Sequence, residues 1–381
     1  MPILTAPAPA PAPSTSNLDA LLPGAPGPVP LGRQLTDRVG ALLDAPGVLA
    51  AAHRRLQRKA VAVACWYVAS YLAVLAAPAP AWGAVACVSL GLSMAAVGFN
   101  IQHDANHNAL FATGGVRRLT SANRLAGLAI NAIGGDAERW IGGHVRRHHS
   151  APNVVGRDDD IDLAPFGRLA PSQRWRAWHR YQHLYLWPLY SVTAVAILVG
   201  DVTATVGESR TGDRHQRRPG VGAYASLLGS KAVFLAVLLG GPLLVHSGLS
   251  VLLGAAAVTA VAGVLLGVVF QLAHAVEEAD FRPADAPAAG GWHDWQIHAT
   301  VDFCHGRGPS ARAVTWFLGG LNYQIEHHLF PSVPHTAYPV MAPVVAEVCA
   351  VNGLRHRVQP TLRGAIRSHH RHLRALAAEP A

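Results

Sequence analysis

AVFLAVLLGGPLLVHSGLSVLLGAAAVTAVAGVLLGVVFQLAHAV, residues 232–276, runs for 45 residues without one Asp, Glu, Lys or Arg. As one helix rising ~1.5 Å per residue it would measure roughly 67 Å, about two crossings of a ~30 Å hydrocarbon layer. It must fold back, and Gly240, Gly241, Pro242 and the polar stretch His246–Ser250 offer the place. Two shorter uncharged runs precede it, 60–77 and 81–101, the first behind Arg54, Arg55, Arg58 and Lys59. Each is close to the ~20 residues that a spanning helix needs. The sequence therefore predicts an all-α membrane protein with four transmembrane helices, at about 60–77, 81–101, 230–246 and 252–275.

Composition agrees. The chain is 51% hydrophobic and 14% charged, where soluble domains carry about a quarter of charged residues. Its formal charge of +9 would suit nucleic acid, but the basic residues flank apolar runs, where they set membrane orientation. No nucleic acid partner is expected. Cys65, Cys87, Cys304 and Cys349 lack CxxC spacing, which argues against a disulfide scaffold or a zinc ribbon.

The links at 78–80 and 246–250 carry no Lys or Arg, whereas the N-terminal flank, Arg117, Arg118 and the 210–231 stretch are basic. Lys and Arg mark the cytoplasmic side, so both termini and the long polar segments are expected in the cytoplasm. Crossing by Leu184–Gly200 would push the basic 210–218 block outside, so that stretch is read as an interfacial or re-entrant helix, like Leu125–Gly135. Residues 1–50 read as a Pro/Ala-rich tail, largely disordered. Residues 51–350 read as the membrane domain, with a helical cytoplasmic cap at 102–229 and 276–350. Residues 351–381 read as a basic solvated tail, His369, His370 and His372 included.

Histidine is the unusual residue, with 21 copies. Three clusters stand out: His103-Asp-Ala-Asn-His107, His144-Val-Arg-Arg-His148-His149, and Gln324-Ile-Glu-His327-His328; His274 ends the last crossing. On a helix, residues four apart share a face, so HxxxH makes a two-pronged metal clamp. His149, one step on, leans to a neighbouring face and could serve a second ion. Two further crossings separate the first cluster from the third, and an even number returns all three to one membrane face. Eight histidines plus Gln324 exceed one tetrahedral zinc and suit two five- or six-coordinate ions. Imidazole suits iron, copper and zinc alike, so the metal stays open at this point. His53, His183 and His246, single residues on apolar faces, read as packing.

These residues resemble the membrane fatty acid desaturase family, with its three histidine boxes HxxxH, HxxHH or HxxxHH, and HxxHH or QxxHH. GGLNYQIEHHLFPSVP (319–334) is very close to the third box, and its leading glutamine resembles the front-end, acyl-lipid branch. QLAHAVEEADF (271–281) and HHSAPNVVGRDDDID (148–162) also look like family sequence. The resemblance covers roughly residues 60–345. It implies two irons bound by His103, His107, His144, His148, His149, His327 and His328, with His274 as an extra ligand and Gln324 standing where other branches have histidine. It implies O2 as co-substrate and removal of two hydrogens from adjacent methylenes of an acyl chain, linked to CoA, a carrier protein or a lipid. The chain has no HPGG haem motif, so a separate donor, ferredoxin or cytochrome b5 with its reductase, is expected. Asn106, Asn322 and Glu326 are candidates for fixing ligand orientation, or for simple helix capping. Asp158, Asp159, Asp160 and Asp162 could orient a box histidine, meet a headgroup, or form a solvated loop. Rival readings are a hydroxylase, acetylenase or ketolase on the same chassis, acting on an acyl or terpenoid chain, and a non-catalytic metal-binding protein or transporter.

Overall fold

A computed structural model describes residues 29–113, 120–211, 220–286, 290–306 and 308–378. Most of the expected tail (1–28), Arg117, Arg118 and positions 212–219 of the basic block lie outside the described residues. Among the described residues the fold is helical, with only two pairs of two-residue parallel strands; Val154 lies opposite Arg282, and Asp302 opposite Val358. Five helices among the described residues, one more than expected, are long and apolar enough to cross a membrane by length and composition: Val48–Leu75, Pro80–Asn106, Ala177–Gly207, Val221–Leu243 and Gly248–His274.

Inside a bilayer, apolar helices gain little from hiding apolar surface from one another, so close backbone approach and hydrogen bonds hold them together. Small residues make the approach. A Cβ on Gly91 would sit 2.8 Å from the Val258 carbonyl, which fixes the Pro80–Asn106 helix against Gly248–His274. A Cβ on Gly263 would sit 2.3 Å from the Ser191 carbonyl, so the Ala177–Gly207 segment rests on the same helix.

That segment differs from the other four. Near its start, Gln182 Nε2 donates to the Arg168 and Leu373 carbonyls at 3.0 Å each. Near its end, Asp201 accepts from the Asp136 backbone at 2.9 Å and pairs with Lys231 at 2.5 Å. Asp136 caps the helix that leads into the second histidine cluster, accepting from the Arg139 backbone at 3.0 Å. Both ends of the segment therefore touch the layer that carries the histidines. The Leu125–Gly135 stretch is a short helix, Ser121–Gly127, continued by a 3₁₀ turn, Leu128–Ile133, with Leu125 and Leu128 exposed.

The described part of the expected N-terminal tail, and the expected C-terminal tail, contain packed helices instead. Leu31–Asp44 is a helix, and its buried Leu35 and Val39 join Tyr338, Met341 and Val345 in one cluster. The four-residue spacing of Leu31, Leu35 and Val39 carries the stripe, which the Ala/Pro-rich start obscured. Burying a Leu or Val side chain is worth about 1.5–3 kcal/mol. Leu362–Ala375 is also a helix, and Ala365, Ser368, His369, His372 and Leu373 are buried along one face. His369 Nδ1 donates to the Ala275 carbonyl at 2.6 Å, and its Nε2 meets the Tyr190 hydroxyl at 2.8 Å. These histidines are packing residues in a docked helix, and the basic residues between them hid that pattern.

Candidate metal centre

All eight predicted histidines and Gln324 are buried, and they meet in one place. The Pro80–Asn106 helix widens into a π turn at Gly98–Gln102 just before His103. The second cluster sits on a π-helical stretch, Ile141–His148, rather than on the α-helix that the HxxxH spacing suggested. A π turn holds an extra residue and re-aims side chains. The rings of His144 and His148 lie nearly parallel, 5.0 Å apart, yet serve different groups. His103, His107, His144 and His327 offer ligand atoms within 4.8 Å of one another, and so do His148, His274 and His328. His149 Nε2 reaches 3.0 Å from His327 Nε2 and so joins the first group. Gln324 Nε2 lies 2.9 Å from His274 Nε2, in the second.

Hydrogen bonds on the far side of the rings decide the tautomers. His148 Nδ1 lies 3.0 Å from each oxygen of buried Asp158, so it carries the proton and donates. His328 Nδ1 donates to Gln296 Oε1 at 2.8 Å, while Gln296 Nε2 donates to the His149 carbonyl at 3.1 Å and so holds its oxygen outward. The Nε2 atoms of His148 and His328 are then both bare lone pairs, and they face each other at 3.2 Å. That contact is repulsive unless a metal ion or a proton lies between them. Two nitrogens held about 2.1 Å from one ion at right angles are about 3.0 Å apart, so the spacing is that of a coordination edge. Nε2 of His103, of His107 and of His144 is also buried without a hydrogen-bond partner. The donor set fits metal.

Electrostatics agree. Burial, then the neighbouring imidazoles, hold His149, His327 and His328 well below the ordinary imidazole range. They stay neutral, as ligands must. Burial alone would do the same to His148, but the Asp158 carboxylate outweighs it and raises the pKa. A metal held at Nε2 would take the place of that second proton. Burial pushes the Asp160 carboxyl up, but its bond from His144 Nδ1 at 2.9 Å and the His148 charge bring it down to about 2.

Aromatic walls keep the rings in place. Trp140 stacks on His144 at 4.5 Å, and Phe270 on His274 at 4.9 Å. His327 Nδ1 pairs with the Tyr338 hydroxyl at 3.2 Å. Behind the first box, Lys59 Nζ donates to His335 Nε2 at 2.8 Å, and His335 Nδ1 donates to Asp104 Oδ2 at 2.8 Å. Lys59, expected as an orienting charge at a helix end, is buried instead.

Of the outer groups expected to orient ligands, Asp158 and Asp160 contact box histidines. Asn106 instead bonds Gln102 and the Gly127 carbonyl, and Asn322 bonds Thr315 and the Phe303 carbonyl. Glu326 points away from the histidine boxes, its Oε1 accepting from His356 at 2.9 Å. Gln296, Trp140, Tyr338 and His335 escaped the sequence reading because none repeats a motif. Phe270 had a signal, four residues before His274. Asp158→Asn should weaken metal retention about 10–100-fold, the usual effect of losing a ligand's outer partner. Chelator competition measures this, and unchanged retention would count against the assigned tautomer.

The family model for fatty acid desaturases matches residues 79–360. The chain is 34% identical over 351 residues to an sn-1 linoleoyl-lipid 6-desaturase of Arthrospira platensis, covering 91% of this chain and 93% of that one. It is 30% identical over 351 residues to the protein of the same description in Synechocystis sp., covering 90% and 94%. An acyl-lipid (8-3)-desaturase of Physcomitrium patens is 32% identical over 309 residues, 77% of this chain and 61% of its own length.

Proposed function

The chain belongs to the fatty acid desaturase family, in its front-end, acyl-lipid-like branch, and from that premise we propose that it is a di-iron enzyme placing a double bond in a lipid-linked acyl chain. It is an oxidoreductase and an integral membrane protein. The observation that carries the reading is the pair of imidazole groups whose bare Nε2 atoms converge. In this reading His103, His107, His144, His149 and His327 hold one iron. His148, His274 and His328 hold the other, with Gln324 beside them. Turning the Gln324 amide about its last bond exchanges Nε2 for Oε1, which is buried without a partner, and offers the ion an oxygen.

When bound, the irons supply activation of dioxygen for hydrogen removal. The protein's part is positioning. Asp158, Asp160 and Gln296 fix ring tautomers, Trp140 and Phe270 hold the ring planes, and burial keeps bulk water from the acyl chain. No side chain is needed as a general base.

A cleft of about 840 Å³ beside the second box is lined by Asn106, Arg124, Leu125, Leu128, Glu138 and Arg146. Exposed leucines next to charged side chains suit an acyl chain with a polar headgroup entering from the bilayer, and the names of the relatives support a lipid-linked substrate over acyl-CoA. The relatives named for action at position 6 of linoleoyl lipids make that bond the first to look for. We also place the metal centre, both termini and the cap on the cytoplasmic side. Residues 51–350 form the membrane domain with four full crossings, Ala177–Gly207 lying along the interface.

Expression in a host of known lipid composition tests the activity. Mass spectrometry should find acyl chains lighter by two hydrogens, with a new bond on the carboxyl side of an existing one. Gain of one oxygen would show a hydroxylase instead. Separately, purified chain with NAD(P)H alone should be inactive until ferredoxin, or cytochrome b5 with its reductase, is added. Turnover without either would contradict the separate-donor reading.

A further inference from the structure

Outside the histidine boxes, four more donor side chains converge. Asp302 lies on the short strand pair, His305 follows the tight turn at Cys304 (φ 52°), Glu326 faces away from the boxes, and His356 precedes the partner strand. Both carboxylates are fully buried, while the His305 and His356 side chains are 19% and 10% exposed. Asp302 Oδ2 lies 3.1 Å from His305 Nε2 and 3.3 Å from His356 Nε2, and His356 Nε2 lies 2.9 Å from Glu326 Oε1. The ligand atoms of Asp302, His305 and Glu326 all fall within 4.8 Å of one another.

The His356–Glu326 contact is a hydrogen bond, but the two short contacts to Asp302 Oδ2 are not well directed. Asp302 Oδ2, His305 Nε2 and Glu326 Oε2 are buried with no well-directed partner. The other Asp302 oxygen is engaged, accepting from the Ile325 backbone at 2.8 Å, so Oδ2 is the one turned into the cluster. Two carboxylates side by side and out of water repel strongly unless a cation separates them or one of them takes up a proton. Among the described residues, only imidazoles pair with them by charge.

Ligand atoms held about 2.05 Å from one tetrahedral ion are about 3.3 Å apart, close to the spacings here. Two carboxylates and two neutral imidazoles would also balance a divalent charge. Stacking of His305 on Tyr323, with ring centroids 3.9 Å apart, aims Nε2 inward before any ion arrives. We infer that Asp302, His305, Glu326 and His356 form a second, mononuclear metal site for a divalent zinc-class ion, separate from the histidine boxes. Because Glu326 and the box histidines His327 and His328 share one short helix, this ion would pin the third box from behind.

Metal analysis of the purified full chain, dialysed against micromolar zinc, tests this without reference to turnover. Wild type should hold one zinc per chain beyond its box metals. His305→Ala and His356→Ala should each lose that zinc and keep the box metals, whereas His148→Ala should lose box metal and keep it. Zinc-edge absorption on the wild type should show four nitrogen and oxygen neighbours at about 2.0–2.1 Å, a readout that does not depend on variants folding. Wild type without the extra zinc, or zinc unmoved by both His305→Ala and His356→Ala, overturns the assignment. Wild type that holds the extra zinc but no box metal would instead count against the proposed di-iron reading.

Discussion

Replacing His148 with alanine is expected to abolish turnover while the chain still inserts in the membrane. Losing only the outer partner of a ligand costs about 10–100-fold, so losing the ligand should cost more than about 100-fold. The second iron would keep His274 and His328, with Gln324 at hand, too few donors to hold it open to dioxygen and closed to water. The Asp158 carboxylate, fully buried, would lose its imidazole, a cost of about 1–3 kcal/mol in stability. That penalty lowers the melting temperature without touching the apolar runs, so insertion should survive. His246→Ala is the control, because His246 caps the Val74 carbonyl at 2.7 Å at the opposite ends of the helices. Turnover by His148→Ala near the wild-type rate, measured as desaturated lipid per unit of inserted protein, would remove the second box from the site.

Much of this site is legible in the sequence because metal ligation repeats simple spacings. HxxxH, HxxxHH and QxxHH name all eight imidazoles but His274, and the apolar runs place them at helix ends. What the spacing cannot show is which ring serves which ion. The HxxxH clamp presumes α-helical winding, and the second box is wound as a π-helix, so His144 and His148 separate into different groups. Glu326 shows the same limit, since its place inside the third box suggests a role there while its side chain turns to His356. The partners that set tautomers, Asp158 and Gln296, come from a loop and a distant helix, and only folding brings them close. The two mistaken tails have another cause. Both Leu31–Asp44 and Leu362–Ala375 carry a buried stripe at helical spacing, diluted by Arg residues that face outward and, in the second helix, built partly from His369 and His372.

Labelling from outside the cell should mark a cysteine at 247 but leave one at 220 untouched until the membrane is permeabilised. The reasoning is one of parity. The chain leaves the metal centre at His149 and returns to it at His274, whose ring lies 4.6 Å from that of His148. Between them lie three helices apolar enough to cross, Ala177–Gly207, Val221–Leu243 and Gly248–His274. Three crossings would deliver His274 to the wrong face, so one of the three does not cross. The last two are joined by a four-residue turn, 244–247, and form a hairpin that goes out and back. The remaining candidate touches the histidine-bearing layer at Gln182 and again at Asp201. Membrane-impermeant maleimide, applied to Ser247→Cys and Gly220→Cys in a background lacking the native cysteines, gives a yes-or-no answer at each position. Both positions are exposed in the fold, so access is decided by the bilayer alone. Labelling of 220 from outside would mean that Ala177–Gly207 crosses, and a crossing there cannot coexist with His148 and His274 sharing one ion.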